Sequence, residues 1–269
     1  MADWIISHMP PHLHFVEPFF GGGAVLLARD PNRDWMGHKG DKLPSHLRGC
    51  SEVVNDVSLE LTNFWRVLQD RDLFAAFKHS VNLIPFSSVE WNDAGVSKED
   101  AGPVAQAVAF FVRARQSRQG LMKDFATLSR NRTRRRMNEQ VSSYFSAIEG
   151  LDDIHARLAK VVIVNDDACQ VITQQDGQHT LFYCDPPYLH ETRASKDAYQ
   201  HEMSRAAHEQ LLKTLSVIEG KFMLSGYPSE LYDRFAKENG WRREEREIDN
   251  KASSRKSKEV KLECLWLNY

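Results

Sequence analysis

The sequence predicts an α/β fold: a doubly wound, mostly parallel sheet ending in an antiparallel C-terminal hairpin, with a mainly helical domain inserted into it. Three observations lead there. Short apolar runs alternate with helical periodicity toward both ends of the chain, as parallel strands joined by helical crossovers require. The alternation stops between Gln69 and His155, where the pattern becomes helical and loop-rich. Finally, Trp241 to Ile248 and Val260 to Leu267 flank a polar basic loop, Lys251 to Lys258, as the arms of a hairpin would.

Taken in order, Leu13 to Val16 is a short apolar strand, Gly21-Gly22-Gly23 breaks it, and Ala24 to Arg29 favours helix. Asp30 to Gly49 reads as a long polar surface loop. Glu52 to Asn55 is the second strand, and Leu59 to Leu68 has amphipathic helical spacing with Ser58 as its cap. After the helical insertion come a strand at Val161 to Val164, a helix near Ala168 to Thr173, and a strand at Thr180 to Cys184. A helix from Arg205 to Ser216 and a strand at Lys221 to Ser225 follow. The boundaries drawn are 1–68 and 156–269 for the sheet domain and 69–155 for the insertion.

Composition narrows the function classes. With 42% hydrophobic and 27% charged residues the 269-residue chain is of ordinary globular type, and its apolar runs are strand-length, so no membrane association is expected. Met1 to His8 lacks a basic leader with an apolar stretch, so a cytoplasmic location in a bacterial or phage-infected cell is expected. Cys50, Cys169, Cys184 and Cys264 form no C-x-x-C pair and are expected to be reduced thiols. None of the eleven histidines falls in an H-x-x-x-H or H-E-x-x-H arrangement that would place two ligands on one helical face, since Pro10-Pro11 stands between His8 and His12, and no metal is expected.

Glu17-Pro18-Phe19-Phe20-Gly21-Gly22-Gly23 lies between the first strand and first helix, where glycines let a backbone turn sharply and approach a ligand. A plain tight turn explains it equally well. Asp56 follows the second strand, where such folds place an acid against ribose hydroxyls; Asp167, after the third, could meet the adenine end of the same ligand. Either aspartate could instead cap the next helix. Asp185-Pro186-Pro187-Tyr188 is the sharpest signal, because two prolines stiffen a loop offering a carboxylate, a carbonyl and an aromatic ring at a strand's end. An exocyclic amine is a poor nucleophile, its lone pair being delocalised into the base. Acceptors on both its hydrogens favour a tetrahedral nitrogen, and Tyr188 would stack on a base taken out of the duplex.

With these motifs the sequence resembles the Dam-like, alpha-class DNA N6-adenine methyltransferases over nearly its whole length. The resemblance rests on the Glu17 to Gly23 loop, Asp56, Asp167, the Asp185 to Tyr188 loop and their order, with a target-recognition segment between cofactor motifs and catalytic loop. It implies a Rossmann-like methyltransferase sheet and S-adenosyl-L-methionine as cofactor, with S-adenosyl-L-homocysteine as product. Cofactor binding is implied for Glu17, Pro18, Phe19, Gly21, Gly23, Asp56 and Asp167, and catalysis for Asp185, Pro186, Pro187 and Tyr188. One departure is a short glycine- and lysine-containing loop that the family carries ahead of the segment corresponding to Asp3 to Ile6. Here the chain starts at Met1, after that loop should have ended, so either the start is truncated or misassigned or a weaker hold on the cofactor's methionine end is expected.

Double-stranded DNA is the expected partner. Arg113 to Arg136 holds nine basic residues against one acid, Asp124, which leaves few partners for surface ion pairs and points to phosphate contact. Arg115, Arg118, Arg130, Arg132, Arg134 and Arg135 are the DNA-binding candidates here, and some could read guanine edges. Lys256, on the late basic loop, is a further one. A companion restriction endonuclease, as in restriction-modification pairs, stays open. So do two other activities: methylation of the exocyclic N4 amine of cytosine, and a catalytically weak or silent DNA-binding protein.

Overall fold

The computed structural model describes residues 1–33, 35–36, 49–96, 101–192, 202–249 and 260–269. It divides into two compact units, Met1–Val57 with Val164–Tyr269, and Ser58–Ile163.

The first unit opens with helix α1 (Ala2–Ser7), strand β1 (His14–Glu17), helix α2 (Ala24–Ala28) and strand β2 (Ser51–Asn55). The second unit contains α3 (Leu59–Gln69), α4 (Arg71–Leu83), α5 (Ser88–Ala94), α6 (Pro103–Arg115), the two-residue strands β3 (Thr133–Arg134) and β4 (Met137–Asn138), α7 (Glu139–Glu149) and α8 (Leu151–Leu158). Strand β5 (Val162–Val164) returns the chain to the first unit. There follow α9 (Ala168–Gln174), β6 (Thr180–Cys184), α10 (Arg205–Leu215), β7 (Lys221–Gly226), α11 (Glu230–Asn239), β8 (Arg242–Asp249) and β9 (Val260–Leu267).

The fold class is α/β, with a seven-stranded sheet in the order β5-β2-β1-β6-β7-β9-β8. Strands β2, β1, β6 and β7 run parallel, in registers such as Val16↔Val53 and Val16↔Phe182, while β9 is antiparallel to both β7 and β8. β6 is buried along its whole length, as a central strand covered on both faces must be. Its Phe182 packs into a core with Phe222, Leu212, Leu231 and Trp266. The order reverses between β1 and β6. In open parallel sheets such a switch point opens a crevice beyond the carboxyl ends of the strands.

The structure differs from the sequence reading in two places. The helical stretch is not free of strands, since β3 and β4 pair as a small hairpin (Thr133↔Asn138, Arg134↔Met137). Its compact unit also runs wider than 69–155. α3 joins it because Phe64 packs against Phe77, Phe110 and Phe111; α8 joins it because Gln69 Nε2 donates to Leu158 and Val161 carbonyls. Both ends of the insertion are thus helices of its own core. The Lys251 to Lys258 loop, Lys256 included, and most of the Asp30 to Gly49 stretch lie outside the described residues.

Candidate active site

The loop after β1 is built by three linked devices. Phe20 N donates to the Asn55 carbonyl at 2.8 Å, and Gly21 N donates to Asp56 Oδ2 at 2.9 Å, so the turn is tied to the end of β2. Gly23 caps α2 at φ +66°, where a side chain is strained, and a Cβ there would stand 2.7 Å from the Phe20 ring. Around Gly21 and Gly22, by contrast, a Cβ would meet nothing within 4 Å. The loop is therefore closed on its Gly23 side and open over Gly21-Gly22. Pro18 is buried under it, and Phe19 packs partly buried on the core.

Asn55 had no role in the sequence reading, yet it joins three segments. Its Nδ2 donates to the Pro18 carbonyl (2.9 Å) and the Asp166 carbonyl (3.0 Å), and its Oδ1 accepts from Asp166 N (2.8 Å). No local pattern announces this; the only signal is an amide at the buried end of an apolar strand. Asp56 and Asp167 behave in part as the helix-cap reading allowed. Asp167 Oδ1 accepts from Cys169 N and Gln170 N and caps α9, whereas Asp56 holds Gly21, and Ser58 caps α3.

Glu17 ends β1 and is 2% exposed. Its Oε1 is buried without a hydrogen-bond partner among the described residues. Burial pushes its carboxyl up to about 8, against the pull of Arg29 and with a further push from Asp185. Arg29 is itself buried: it pairs with Glu52, donates to His12 Nε2 at 2.7 Å and lies over the rings of Phe15 (4.0 Å) and Trp35 (4.3 Å). For His12 to accept there, its Nδ1 must carry the proton given to the Pro10 carbonyl (2.7 Å), and burial holds this histidine down at about 4.

Asp185-Pro186-Pro187-Tyr188 follows β6 directly, across the switch point from Glu17. Asp185 keeps exposed surface in a site hemmed in by protein. That surrounding raises its carboxyl to about 6, and hydrogen bonding with Tyr188 moderates the rise. The Tyr188 hydroxyl donates to Glu263 of β9, and its ring stands edge-on to Tyr227, 4.7 Å between centroids. Beneath the loop, Tyr183 OH and Ser225 Oγ are 3.0 Å apart. Glu263, on the closing strand, was not anticipated either. The site thus has a carboxylate accessible to a substrate at the end of β6 and a partnerless buried carboxyl oxygen at the end of β1.

The model of one protein family, described as D12 class N6 adenine-specific DNA methyltransferase, matches residues 1–250. The chain belongs to that family. No curated protein matches the sequence of this D12-class methyltransferase. Among solved structures, the rRNA methyltransferase aviRa from Streptomyces viridochromogenes is similar at 11% identity and a TM-score of 0.39, over 99% of this chain and 82% of that one.

The basic segment of this methyltransferase is more heavily paired than the sequence count implied, because Glu139 and Glu149 from outside the window add to Asp124 within it. Arg118 pairs with Asp124 (2.8 Å), Arg135 with Glu149 of α7 (2.7 Å), and Arg132 lies 3.9 Å from Glu139. Arg113 is drawn inward, over Trp91 at 3.4 Å and donating to the Met122 carbonyl, and Arg115 sits over Phe111. Arg130, Arg134 and Arg136 have no ion pair among the described residues. The turn of the β3–β4 hairpin is Arg135-Arg136, both at positive φ (55° and 62°). Such a turn normally uses Asn-Gly, so two arginines store strain there. Thr133 and Arg134 of the hairpin, with Glu139, Gln140 and Ser143 of α7, line a concavity of about 410 Å³. No helix among the described residues is long and apolar enough to cross a membrane, and no three of their acidic, histidine or cysteine side chains are grouped as a metal site would need.

Proposed function

We propose that this DNA adenine methyltransferase is site-specific, uses S-adenosyl-L-methionine, and acts on an adenine flipped out of duplex DNA by direct in-line transfer to N6. The observation that carries this is Asp185, an accessible carboxylate at the end of β6 on the sheet's switch point, facing the loop of Glu17 to Gly23.

The residues present fit the cofactor. Glu17 offers a buried carboxyl oxygen with no partner, Gly21 and Gly22 leave open space, and Asp56 and Asp167 stand at the two neighbouring strand ends. When bound, S-adenosyl-L-methionine supplies an electrophilic methyl group on a sulfonium. Pro18, Phe19 and Gly23 shape the wall of that site.

Asp185, ionised above about pH 6, accepts one hydrogen of the adenine amine, and a carbonyl of the Pro186-Pro187 segment accepts the other. The two acceptors would hold the nitrogen tetrahedral with its lone pair free for the methyl group, and the proton that N6 must lose on methylation would pass to Asp185 or to solvent. Pro186 and Pro187 contribute by having no amide hydrogen to compete for those acceptors. Tyr188 presents its ring to the flipped base. In the helical unit, Arg115, Arg118, Arg130, Arg132, Arg134 and Arg135 supply the phosphate and base contacts, and Lys256 adds one from the late loop. Arg134 and Gln140 beside the concavity are the side-chain types that read guanine and adenine edges.

The test is transfer of labelled methyl from S-adenosyl-L-methionine to duplex DNA by wild type and Asp185→Ala. The expected loss is at least about 100-fold in kcat with little change in cofactor affinity. An Asp185→Ala protein that methylates as fast as the parent would show that the carboxylate is not the acceptor.

A further inference from the structure

Glu263 is a glutamate inside a strand, 5% exposed, at a position of β9 where the neighbours Cys264 to Leu267 are all buried. A carboxylate removed from water must be compensated by hydrogen bonds or charge. Its partner is the hydroxyl of Tyr188, the last residue of the catalytic loop. That hydroxyl also interacts with Asp185, on which its hydrogen bonding acts directly. A phenol carries one hydrogen, so Asp185 and Glu263 compete for it.

Building on the adenine chemistry proposed above, we propose that Glu263 is a positioning residue: its carboxylate takes the single hydroxyl hydrogen of Tyr188. This locks the tyrosine ring against Tyr227 and leaves Asp185 free to accept from the adenine amine.

The surrounding groups agree with this division. Tyr227 stands edge-on to Tyr188 and carries Lys261 Nζ over its own ring at 4.9 Å, so the strand that holds Glu263 also steadies the second tyrosine. Facing Glu263 are Asp185 and Tyr188 from the β6 loop, Tyr183 of β6, Lys261 two residues away on β9, and Arg246 directly opposite on β8. Arg246 is directed over the Trp4 ring of α1. Burial raises the Glu263 carboxyl to about 7, the bond from Tyr188 lowers it, Asp185 raises it, and Lys261 lowers it. Below about pH 7 the protonated Glu263 no longer draws the Tyr188 hydrogen, which turns toward Asp185 and competes with the substrate amine. Activity on the acid side then depends on two groups, Glu263 and Asp185, titrating near 7 and 6.

The experiment compares kcat for adenine methylation from about pH 5.5 to 8.5 for the full-length wild type, Glu263→Gln, Tyr188→Phe and the double variant. Two groups at those values make the wild type fall about 20-fold between pH 8 and pH 6. Glutamine still accepts from Tyr188 but cannot titrate, so Glu263→Gln should fall only about twofold over the same range. Tyr188→Phe removes the contested hydrogen; it should show the same flattened acid limb at lower overall rate, and adding Glu263→Gln should change the profile no further. Fluorescence of 2-aminopurine at the target position reports base stacking in each variant, and Glu263→Gln should leave it as in wild type. Superimposable profiles for wild type and Glu263→Gln would overturn this inference alone. A wild type that transfers no methyl to adenine would overturn the functional reading, and this inference with it.

Discussion

Gly22 and Gly23 are adjacent, yet alanine should do opposite things at the two positions. At Gly23 the backbone sits at φ +66° and the new Cβ would lie 2.7 and 2.9 Å from two carbons of the Phe20 ring, which is 4% exposed and cannot swing away. The left-handed conformation costs about 1–2 kcal/mol for an L-residue, and overfilling a packed site about 1–3 kcal/mol more. Gly23→Ala should therefore destabilise the sheet unit by about 2–5 kcal/mol, lowering its melting temperature by roughly 5–15 °C. At Gly22 the backbone φ is not positive and no atom stands within 4 Å of a Cβ, so Gly22→Ala should melt within about 0.5 kcal/mol of the parent. Its methyl group nevertheless projects into the open side of the loop. S-adenosyl-L-methionine affinity should drop about tenfold or more, because a well-fitted cofactor has no room to yield. Thermal melting followed by circular dichroism reads the first effect and calorimetric titration the second. A Gly23→Ala protein melting with the wild type would refute the packing argument, and an unchanged Gly22→Ala affinity would remove this loop from the cofactor wall.

Two other perturbations test the buried charge and the hairpin. Glu17 is raised to about 8 in the folded protein against 4.5 when unfolded, so folding favours its protonated form; the stability this contributes is present below pH 4.5 and is lost as pH climbs through 8. Glu17→Gln should flatten that decline, which amounts to at most about 1.4 kcal/mol per pH unit, in urea unfolding between about pH 5 and 8; equal slopes for the two proteins would contradict the assignment. Arg136→Gly should leave stability unchanged or raise it by up to about 1 kcal/mol, since glycine accepts φ 62°. The same change should weaken DNA binding and reduce the log–log salt slope by about 0.9, measured by fluorescence anisotropy; an unaltered slope would mean that Arg136 touches no phosphate.

The sheet was readable because its strands are short apolar runs stopped by glycine, proline or aspartate. Thr180 to Cys184 falls where the structure has it, and β1 differs by a single residue at each end. Helix α11 escaped notice because Glu230, Asp233, Arg234, Lys237 and Glu238 dilute the apolar stripe of Leu231, Tyr232, Phe235 and Ala236. β3 and β4 are two residues each around an Arg-Arg turn, so neither strand periodicity nor turn chemistry marks them. The motif residues could be proposed from sequence because the chemistry of each motif is local to one loop. Asn55 and Glu263 could not, since what makes them matter is a partner far away in sequence: Asp166 for one, Tyr188 for the other. Ion pairs of the arginine segment were hidden for the same reason, as Glu139 and Glu149 that pair with it belong to the next helix.

Gln69, at the end of α3, bonds the carbonyls of Leu158 and Val161 and so fastens the first helix of the inserted unit to its last. That tie shortens the flexible chain that must close when the sheet pairs. Strands β1 and β6 are neighbours in space, yet the register pairs His14 with Thr180, and bringing so distant a pair together costs chain entropy. An insertion whose ends are already fastened shortens the flexible chain between the two strands, and because closure cost grows only with the logarithm of length this lowers it by about 1 kcal/mol. The loop of Asp185 to Tyr188 stands at the far end of that long-range pairing.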